Sequence, residues 1–286
     1  MDYTRGRPWE SILSGASQTL IISAARPTGQ PVPVHPIQND PDFHVVAEAS
    51  DHVVVEKPAP LLVHPSTPGN PPTLLDGLRG LLSYEIANGA TLSIINRLDR
   101  ETSGLVLIAL GRERARSFHM AMQQRLFIKR YQALCLGWPD WEETSVDAPI
   151  RRLGEIRPSP IWVRQVVDPE GASARTGFRV LERLKTRGGT RLALIECRPH
   201  TGRMHQIRVH LSHLGYPVAG DKIYGPDETC YLEFIETGWT PALEARLGLP
   251  RQALHSTHLS VELDGDHFSW NSPFPRSLIE QMDENY

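Results

Sequence analysis

The chain has 286 residues, of which 40% are hydrophobic and 22% are charged, and its formal net charge is −3. These values are typical of a globular protein and argue against a disordered or fibrous chain. No apolar run approaches the roughly 20 residues that a membrane-spanning helix needs, and the N-terminus lacks the apolar segment of a signal peptide. The three cysteines form an odd set without metal-binding spacing. We therefore expect reduced thiols and a cytoplasmic protein without a membrane partner.

Positive charge is concentrated in two parts of the chain. Residues 96–131 contain eight Lys and Arg against three Asp and Glu, and residues 150–191 contain ten against four. If the two segments share one face, they form a surface that follows phosphate groups. Scattered surface charge is the simpler interpretation of composition alone.

Proline-rich sequence at the start gives way to regular patterns near residue 43. We interpret residues 1–42 as an N-terminal extension and residues 43–286 as one globular domain. In chain order, the patterns predict a strand at 52–56, a helix at 74–88, a strand at 105–110, a helix at 112–126, a strand at 129–136, a hairpin of 178–184 and 191–197, and a helix at 205–214. Antiparallel hairpins mixed with helices indicate an α+β fold.

The segment from Asn96 to Gly104 places an aspartate, Asp99, between Arg97 and Arg100. Fixed positive charge beside a carboxylate lowers its pKa and keeps it ionised. Apolar, strand-like runs on both sides predict that Asp99 lies in a tight connection between buried strands, where reactive loops are often built. A structural ion pair is an equal alternative from these residues alone.

A second dense segment runs from Arg198 to His210. Thr201 and Gly202 are suited to a turn into a helix, with Arg203 near its start. The histidines at 200, 205, 210 and 213 have poor spacing for a metal site, and no matching carboxylate or cysteine set accompanies them. We therefore predict no metal site.

The segment Asn96-Arg-Leu-Asp-Arg-Glu-Thr-Ser-Gly104 resembles the catalytic motif of the RluA-type pseudouridine synthases. Other segments resemble further motifs of that family in the expected order: Glu56-Lys-Pro58 with Val63-His-Pro65, Lys129-Arg-Tyr-Gln-Ala133, Thr201 to His210 followed by Gly220-Asp-Lys-Ile-Tyr-Gly225, and Leu254-His255. The resemblance spans roughly residues 43–275.

This resemblance implies a mixed, mostly antiparallel sheet flanked by helices, with a central catalytic cleft. It also implies an enzyme that isomerises uridine to pseudouridine in RNA by flipping the base, without a cofactor or metal. The expected partner is ribosomal or transfer RNA, and we expect a monomer.

The family's catalytic residues match three positions of this chain. By resemblance, Asp99 is the catalytic aspartate that acts as nucleophile or base at the ribose, and Arg203 is the arginine that pairs with it. Tyr131 matches the tyrosine that stacks on uracil and helps to remove the C5 proton. A guanidinium can orient a carboxylate through two hydrogen bonds and keep it charged.

Further positions are candidate substrate contacts. By resemblance, Arg97 fills the space that the flipped base leaves, and Ile207 lines the uracil pocket. The remaining candidates are basic residues that can reach phosphates: Lys57, Arg100, Lys129 and Arg130. For Lys57, a simple charge at a strand end is an equal alternative.

The chain departs from the family pattern at Asn96, where the family usually has histidine. No match to an S4-like RNA-binding domain is present in the first 40 residues. The acidic segment 227–244 is interpreted as an insertion that tunes substrate choice. Two rival functions remain, an inactive RNA-binding protein on the same fold and a glycoside hydrolase, which requires a second carboxylate near Asp99. Glu101 is the nearest one in the chain.

Overall fold

The computed structural model describes residues 42–65 and 72–285, so the predicted N-terminal extension lies outside the described residues. The strands are β1 (His44–Glu48), β2 (His52–Lys57), β3 (Leu92–Ile94), β4 (Ser103–Leu110), β5 (Ile128–Leu136), β6 (Glu143–Asp147), β7 (Ile150–Arg152), β8 (Gln165–Val167), β9 (Arg175–Lys185), β10 (Arg191–Pro199), β11 (Leu254–Leu263) and β12 (Asp266–Asn271). The helices are α1 (Leu74–Leu81), α2 (Ser83–Ala87), α3 (Arg112–Gln123), α4 (Gln206–His213), α5 (Thr229–Thr237), α6 (Pro241–Leu247) and α7 (Ser277–Asn285).

Ten of these strands form one sheet in the order β1-β2-β4-β11-β5-β10-β9-β6, with β3 added to β4 and β12 added to β11. β7 and β8 form a separate two-stranded sheet. Every pairing in the large sheet is antiparallel except that of β4 with β11. The predicted α+β class with a mixed, mostly antiparallel sheet is therefore confirmed.

Strand β4 is buried on both faces, which explains its continuous apolar sequence. Leu105 and Leu107 share a cluster with Phe118 of α3. Val106 and Ile108 point to the other face, where they share a cluster with Leu74 and other residues of α1. Alternating side chains of one strand thus pack against a helix on each side, which fixes the position of the loop that precedes β4.

The core of the second half lies between β5, β10 and helices α4 and α7. Leu134, Ile195, Leu211 and Met282 belong to its buried cluster. This packing holds α4 against the sheet, close to the end of β5. The start of α4 is therefore held against the sheet by this buried packing.

The single parallel pairing joins the two halves at the centre of the sheet. Its register places Ser103 beside His255 and Gly104 beside Ser256. Gly104 has φ +110°, and a Cβ built on it lies 2.4 Å from the carbonyl oxygen of Ser256. Only glycine permits this close approach, which occurs directly after the loop that carries Asp99.

Most predicted elements are present, with shifted ends. The helix predicted at 74–88 is two helices that meet at Leu82, and the strands of the predicted hairpin are longer than expected. The acidic segment folds into α5 and α6, and the hairpin of β11 and β12 was not predicted. Within the described part of the chain, no helix is long and apolar enough to span a bilayer.

Candidate active site

A cleft opens at the centre of the large sheet, between the loop before β4, the strand β5 and the turn before α4. It consists of two adjoining cavities that share several lining residues. The larger has a volume of about 640 Å³, and the smaller, the inner pocket, has a volume of about 110 Å³. Predicted site residues that line the inner pocket are Arg97, Asp99, Lys129, Tyr131, Arg203 and Ile207. The structure therefore brings six residues from three separate motifs to one place.

The loop that carries Asp99 is fastened to β4 by a side chain. The amide of Asn96 donates to the carbonyl oxygen of Leu105 at 3.0 Å and accepts from the backbone N–H of Leu107 at 2.8 Å. It thus imitates the backbone pairing of a further strand residue. The backbone N–H of Thr102 closes the loop by donating to the carbonyl oxygen of Asp99 at 3.1 Å. Asn96 is therefore a structural anchor of the loop.

Lys57 supports the same loop from below, and the prediction that it contacts substrate is wrong. Its side chain is fully buried, and Nζ donates to the carbonyl oxygens of Pro58, Leu61 and Arg100 at 2.7, 2.8 and 3.1 Å. An ammonium has three hydrogens, and these acceptors use all of them. Burial lowers the pKa of Lys57 to about 7. The side chain holds the backbone beside Asp99 and cannot reach the cleft.

The partner of Asp99 is Arg208. Its Nη1 donates to Oδ2 of Asp99 at 2.9 Å, while the Asp99 side chain keeps 29% of its surface exposed to the cleft. Within the described residues, no hydrogen bond is made to Oδ1 of Asp99. The carboxylate is thus held at one oxygen, while the other oxygen has no hydrogen-bond partner among the described residues.

The prediction that Arg203 pairs with Asp99 is wrong. The Nε of Arg203 donates to the carbonyl oxygen of Ser173 at 3.0 Å, and its side chain forms part of the cleft wall. The reason is the position of the helix start. Helix α4 begins at Gln206, so Arg203 lies in the turn before it, whereas Arg208 lies within the first turn and faces the buried side.

Gln206 determines where that helix begins. Its Oε1 accepts from the hydroxyl of Thr201 and the backbone N–H of Arg203, at 2.7 and 3.0 Å. Its Nε2 donates to the carbonyl oxygen of Arg175 and the hydroxyl of Thr176, both at 2.9 Å. A buried amide with all of these bonds satisfied fixes the turn to β9.

A second carboxylate holds Arg208 from the other side. Nε and Nη2 of Arg208 donate to the two oxygens of Asp221 at 2.6 and 2.9 Å, in the bidentate geometry that arginine prefers. Asp221 is fully buried and also accepts from the backbone N–H groups of Ile223 and Tyr224. Sequence reasoning missed both residues, although Asp221 and Arg208 lie inside quoted motifs.

These contacts explain the ionisation of Asp99. Burial acts to raise the pKa of its carboxyl, but the neighbouring His205 and Arg208 outweigh this, and the pKa lies below its ordinary value. The pKa of His205 is itself lowered to about 4, mainly by burial and then by Arg208. Arg208 therefore carries the positive charge at neutral pH, and Asp99 is an anion there.

The strand β5 places Tyr131 and Lys129 on the cleft side. Burial raises the pKa of Tyr131 to about 12, so its hydroxyl keeps its proton at neutral pH. Arg130 lies between them in the strand, is exposed on the opposite face and does not line the cleft, so its contact with phosphate stays a prediction. Arg100 is exposed and does not line the cleft either; its carbonyl oxygen is the part that the site uses.

The histidines of the second motif have separate functions. His210 is buried between the hydroxyl of Thr176 and the carbonyl oxygen of Ala148, at 2.9 and 3.0 Å. His213 is exposed on α4, and only His205 lines the inner pocket. Among residues 42–65 and 72–285, no group of three or more potential ligands is arranged to hold a metal ion.

The basic segment 150–191 carries much less free charge than its sequence indicates. Six of its arginines form ion pairs with acidic side chains: Arg151 with Glu170, Arg152 with Glu155, Arg164 with Glu228, Arg179 with Glu196, Arg183 with Glu142 and Arg187 with Asp283. Four cations that line the cleft make no ion pair to an acidic residue within the described part of the chain: Arg97, Arg125, Lys129 and Arg203. The cleft wall therefore carries four cations without an acidic partner among the described residues, while other exposed arginines without one, such as Arg112, Arg116 and Arg157, lie elsewhere on the surface.

Residues 51–213 match the family model described as RNA pseudouridylate synthase. The chain is 32% identical over 275 residues to the ribosomal large subunit pseudouridine synthase D of Pseudomonas aeruginosa, which covers 96% of this chain and 79% of the relative. It is 31% identical over 290 residues to the protein of the same description from Escherichia coli K12, covering 97% and 79%. An uncharacterized RNA pseudouridine synthase of Chloroflexus aurantiacus is 40% identical over 228 residues, 78% of this chain and 63% of the relative.

The fold is also that of solved pseudouridylate synthases. The human RNA pseudouridylate synthase domain containing 1 aligns with a TM-score of 0.65 and 24% identity, covering 86% of this chain and 90% of that one. The human domain-containing-4 protein gives the same TM-score and covers 85% and 92%.

A mixed sheet with a central cleft, an ionised aspartate in that cleft and a match over more than half of the chain define an RNA-modifying isomerase. The chain belongs to the pseudouridine synthases, and within them to the RluA type. Its reaction is the isomerisation of uridine to pseudouridine in RNA, as the resemblance implied.

Proposed function

We propose that this protein isomerises uridine in the RNA of the large ribosomal subunit, with Asp99 at the reaction centre. The substrate class is supported by the relatives from Pseudomonas aeruginosa and Escherichia coli, whose descriptions name the ribosomal large subunit. The observation that carries the proposed centre is the Asp99 carboxylate, which is held at Oδ2 by Arg208, has no partner at Oδ1 among the described residues and lines the cleft. On the same grounds of substrate and reduced thiols, we propose that the enzyme acts in the cytoplasm as a monomer.

The reaction needs a group that works at the ribose while the base is detached. The bond between N1 of uracil and C1′ breaks, the base turns, C5 bonds to C1′, C5 loses its proton and N1 gains one. Asp99 is suited to this because its ionised oxygen faces the pocket and its charge is stabilised by a fixed guanidinium. The carboxylate serves equally as a nucleophile at C1′ or as a base that removes a ribose proton.

Tyr131 is proposed to stack on the detached uracil and keep it in the pocket. Its ring is on the cleft side of β5, opposite the loop that carries Asp99. With its pKa raised to about 12, the phenol keeps its proton at neutral pH and is a weak base there. Its contribution to loss of the C5 proton therefore requires that the proton of the phenol leaves at the same time.

Arg97 and Lys129 are proposed to hold the RNA around the flipped nucleotide. Arg97 is exposed at the mouth of the cleft, where a planar guanidinium can stack on the bases that border the gap. Lys129 lies at the pocket wall beside Gly202, near enough to contact a phosphate. Ile207 lines the inner pocket and is proposed to contact the uracil ring.

The glycoside hydrolase alternative is disfavoured by the position of Glu101. Both of its oxygens accept from Nζ of Lys222, at 2.8 and 2.9 Å. Lys222 is buried and also donates to the carbonyl oxygen of Pro250. A carboxylate held in this way is not available as the second catalytic acid that hydrolysis requires.

The proposal is tested by mapping pseudouridine in total RNA from cells with and without the protein. We expect loss of one or more sites in large-subunit ribosomal RNA, with rescue by the wild-type chain. Asp99→Asn should reduce isomerisation by at least about a thousandfold while thermal unfolding stays close to wild type. Asp266→Asn, which changes an exposed carboxylate far from the cleft, should leave the rate unchanged. Lost sites confined to transfer RNA, or an active Asp99→Asn variant, would contradict the proposal.

A further inference from the structure

His205 lies in the inner pocket with one ring nitrogen occupied and the other unused. Its side chain is 10% exposed, and the ring stands edge-on to Tyr224. Nδ1 is 2.8 Å from the Tyr224 hydroxyl. Within the described residues Nε2 makes no hydrogen bond, and it lies 4.0 Å from Oδ2 of Asp99. The second motif thus supplies a polar atom to the pocket that the reaction described above does not use.

The hydrogen bonds around Tyr224 determine which nitrogen carries the proton. The Tyr224 oxygen accepts the backbone N–H of Gln165 at 2.8 Å. Its own hydroxyl hydrogen then has Nδ1 of His205 as its acceptor among the described contacts. Nδ1 is therefore the acceptor nitrogen, and the ring proton is on Nε2, which points into the pocket as a donor. The lowered pKa of His205, about 4, keeps the ring neutral.

The backbone at His205 also indicates that this placement has a purpose. Its φ is 58° and its ψ is 15°, in the left-handed region, where residues other than glycine are uncommon. The strain is held by Gln206 and by the Tyr224 contact. Such conformations persist where the surrounding structure imposes them, frequently at functional sites.

The distance between Nε2 and the carboxylate selects the kind of group that fits between them. At 4.0 Å the two atoms are too far apart for a direct hydrogen bond. A hydroxyl oxygen placed about 2.8 Å from each can donate to Asp99 and accept from His205 at the same time. Among the groups of a nucleotide near the reacting C1′, the 2′-hydroxyl can both donate and accept, and it is the group that distinguishes RNA from DNA.

We propose that His205 and Asp99 together bind the 2′-hydroxyl of the target nucleotide, with Nε2 of His205 as the donor. His205 is then a substrate-binding residue that makes the pocket selective for a ribonucleotide at the modified position. This inference rests on the proposed position of the target ribose beside Asp99. It assigns to the histidine a contact with sugar and none with the uracil base.

The test compares two stem–loop RNAs of identical sequence, spanning a uridine that the wild-type protein isomerises. One carries uridine at the target and the other carries 2′-deoxyuridine. Binding is measured by fluorescence anisotropy in the Asp99→Asn background, where no turnover is expected and the asparagine can still accept a hydrogen bond. We expect this parent to bind the ribonucleotide RNA about tenfold more tightly, which corresponds to about 1.4 kcal/mol, the size of one hydrogen bond.

Two substitutions of His205 distinguish the effect of its N–H donor from the effect of the volume of its side chain. His205→Leu removes the donor and should reduce the preference for the ribonucleotide to less than about twofold. His205→Gln places an amide N–H near the position of Nε2 and should keep a preference of at least about threefold. His213→Leu, the same substitution at an exposed position of α4, should keep the full preference.

The outcomes distinguish this inference from the proposed function. Full preference in the His205→Leu variant, equal weakening for both RNAs, or no preference in the parent would overturn the role of His205. Isomerisation by the Asp99→Asn parent, by contrast, would overturn the role of Asp99. In the Asp99 enzyme, His205→Leu should also slow single-turnover isomerisation by about tenfold or more, with thermal unfolding unchanged relative to His205→Gln.

Discussion

At the scale of single residues, the site is organised around one guanidinium shared by two carboxylates. Arg208 uses Nε and Nη2 for Asp221 and leaves Nη1 for Asp99. The buried Asp221 is acceptable because its charge is matched by Arg208 and by two backbone N–H groups. The geometry of Asp99 is thus set, through Arg208, by Asp221, which is fully buried and does not line the cleft.

Replacing the guanidinium by an ammonium tests this arrangement. Arg208→Lys keeps one positive charge but cannot form the bidentate contact and reach Asp99 at the same time. We expect isomerisation to fall by about 10- to 100-fold. In this variant the lowered pKa of Asp99 should rise toward or above the ordinary value for an aspartate. Because Asp99 must be ionised, the rate should begin to fall at a higher pH than in the wild type when the pH is lowered.

The matched control for that prediction is Arg203→Lys. Arg203 lines the cleft but donates to Ser173, so its replacement should change RNA affinity and leave the acidic limb of the rate profile in place. The measurement is kcat/KM between about pH 4.5 and 8 for both variants. An acidic limb that moves with Arg203→Lys and not with Arg208→Lys would restore the pairing inferred from sequence.

The choice between these two arginines shows where sequence reasoning ends. The motif from Thr201 to His210 was sufficient to predict that an arginine meets Asp99. Which arginine does so depends on the first residue of α4, and that is set by hydrogen bonds from Gln206 to Arg175 and Thr176, about thirty positions earlier. No local pattern carries that information.

The same reason explains the error at Lys57. A lysine at a strand end is usually exposed, and its sequence neighbours do not contradict this. Its burial follows from three carbonyl oxygens that converge on Nζ, one of them from Arg100, 43 positions away. The placement of Asp99 and Tyr131 in one cleft needed only the motifs, because the strand order β4-β11-β5 brings the elements that carry them together.

At the scale of elements, the pairing of β4 with β11 is the place where the fold leaves least space for a larger side chain. Gly104 approaches Ser256 so closely that a methyl group has no space, and its φ of +110° is unfavourable for any other residue. Asp99 lies only four positions before the strand, so its loop follows any displacement of the strand.

Gly104→Ala is therefore expected to destabilise the protein by about 3 kcal/mol or more, since overpacking and backbone strain add. Urea denaturation gives the free energy of unfolding. Gly265→Ala is the control, because Gly265 also has positive φ but meets no atom within 4 Å, and its cost should be about 1 kcal/mol. Equal losses in the two variants would show that the close approach to Ser256 is not the cause.

A second connection between elements involves the acidic segment. Lys222, which holds Glu101, lies 4.5 Å from the ring centre of Phe234 and 5.7 Å from that of Trp239. Both aromatic residues belong to the segment of α5 and α6. The interpretation of this segment as a modulator of substrate choice stays a prediction, and the contact offers a physical route from it to the loop of Asp99.

At the scale of the whole molecule, the net charge of −3 is compatible with an RNA substrate because acidic side chains neutralise arginines away from the cleft and leave cations in the cleft without acidic partners in the described part of the chain. The arginines of 150–191 are largely neutralised by acidic partners, and four cations without such partners line the cleft. The cleft therefore attracts phosphate although the net charge of the whole chain is negative.

This arrangement predicts a weak dependence of RNA affinity on salt. With about four phosphate contacts, the plot of log affinity against log salt should have a slope of about −3. Arg97→Gln should reduce the slope by about one unit, and Arg187→Gln, which removes an arginine paired with Asp283, should not change it. A slope near −8 would show that cations outside the cleft also bind phosphate.

The parallel pairing of β4 with β11 has a consequence for when the enzyme becomes active. Asp99 and Arg208 are 109 positions apart, and Ser103 reaches His255 across 152 positions. A chain still being synthesised lacks β11, so the middle of the sheet beside Asp99 cannot close. The protein is therefore expected to gain its activity only after β11 has been synthesised, and a product truncated before β11 is not expected to modify RNA.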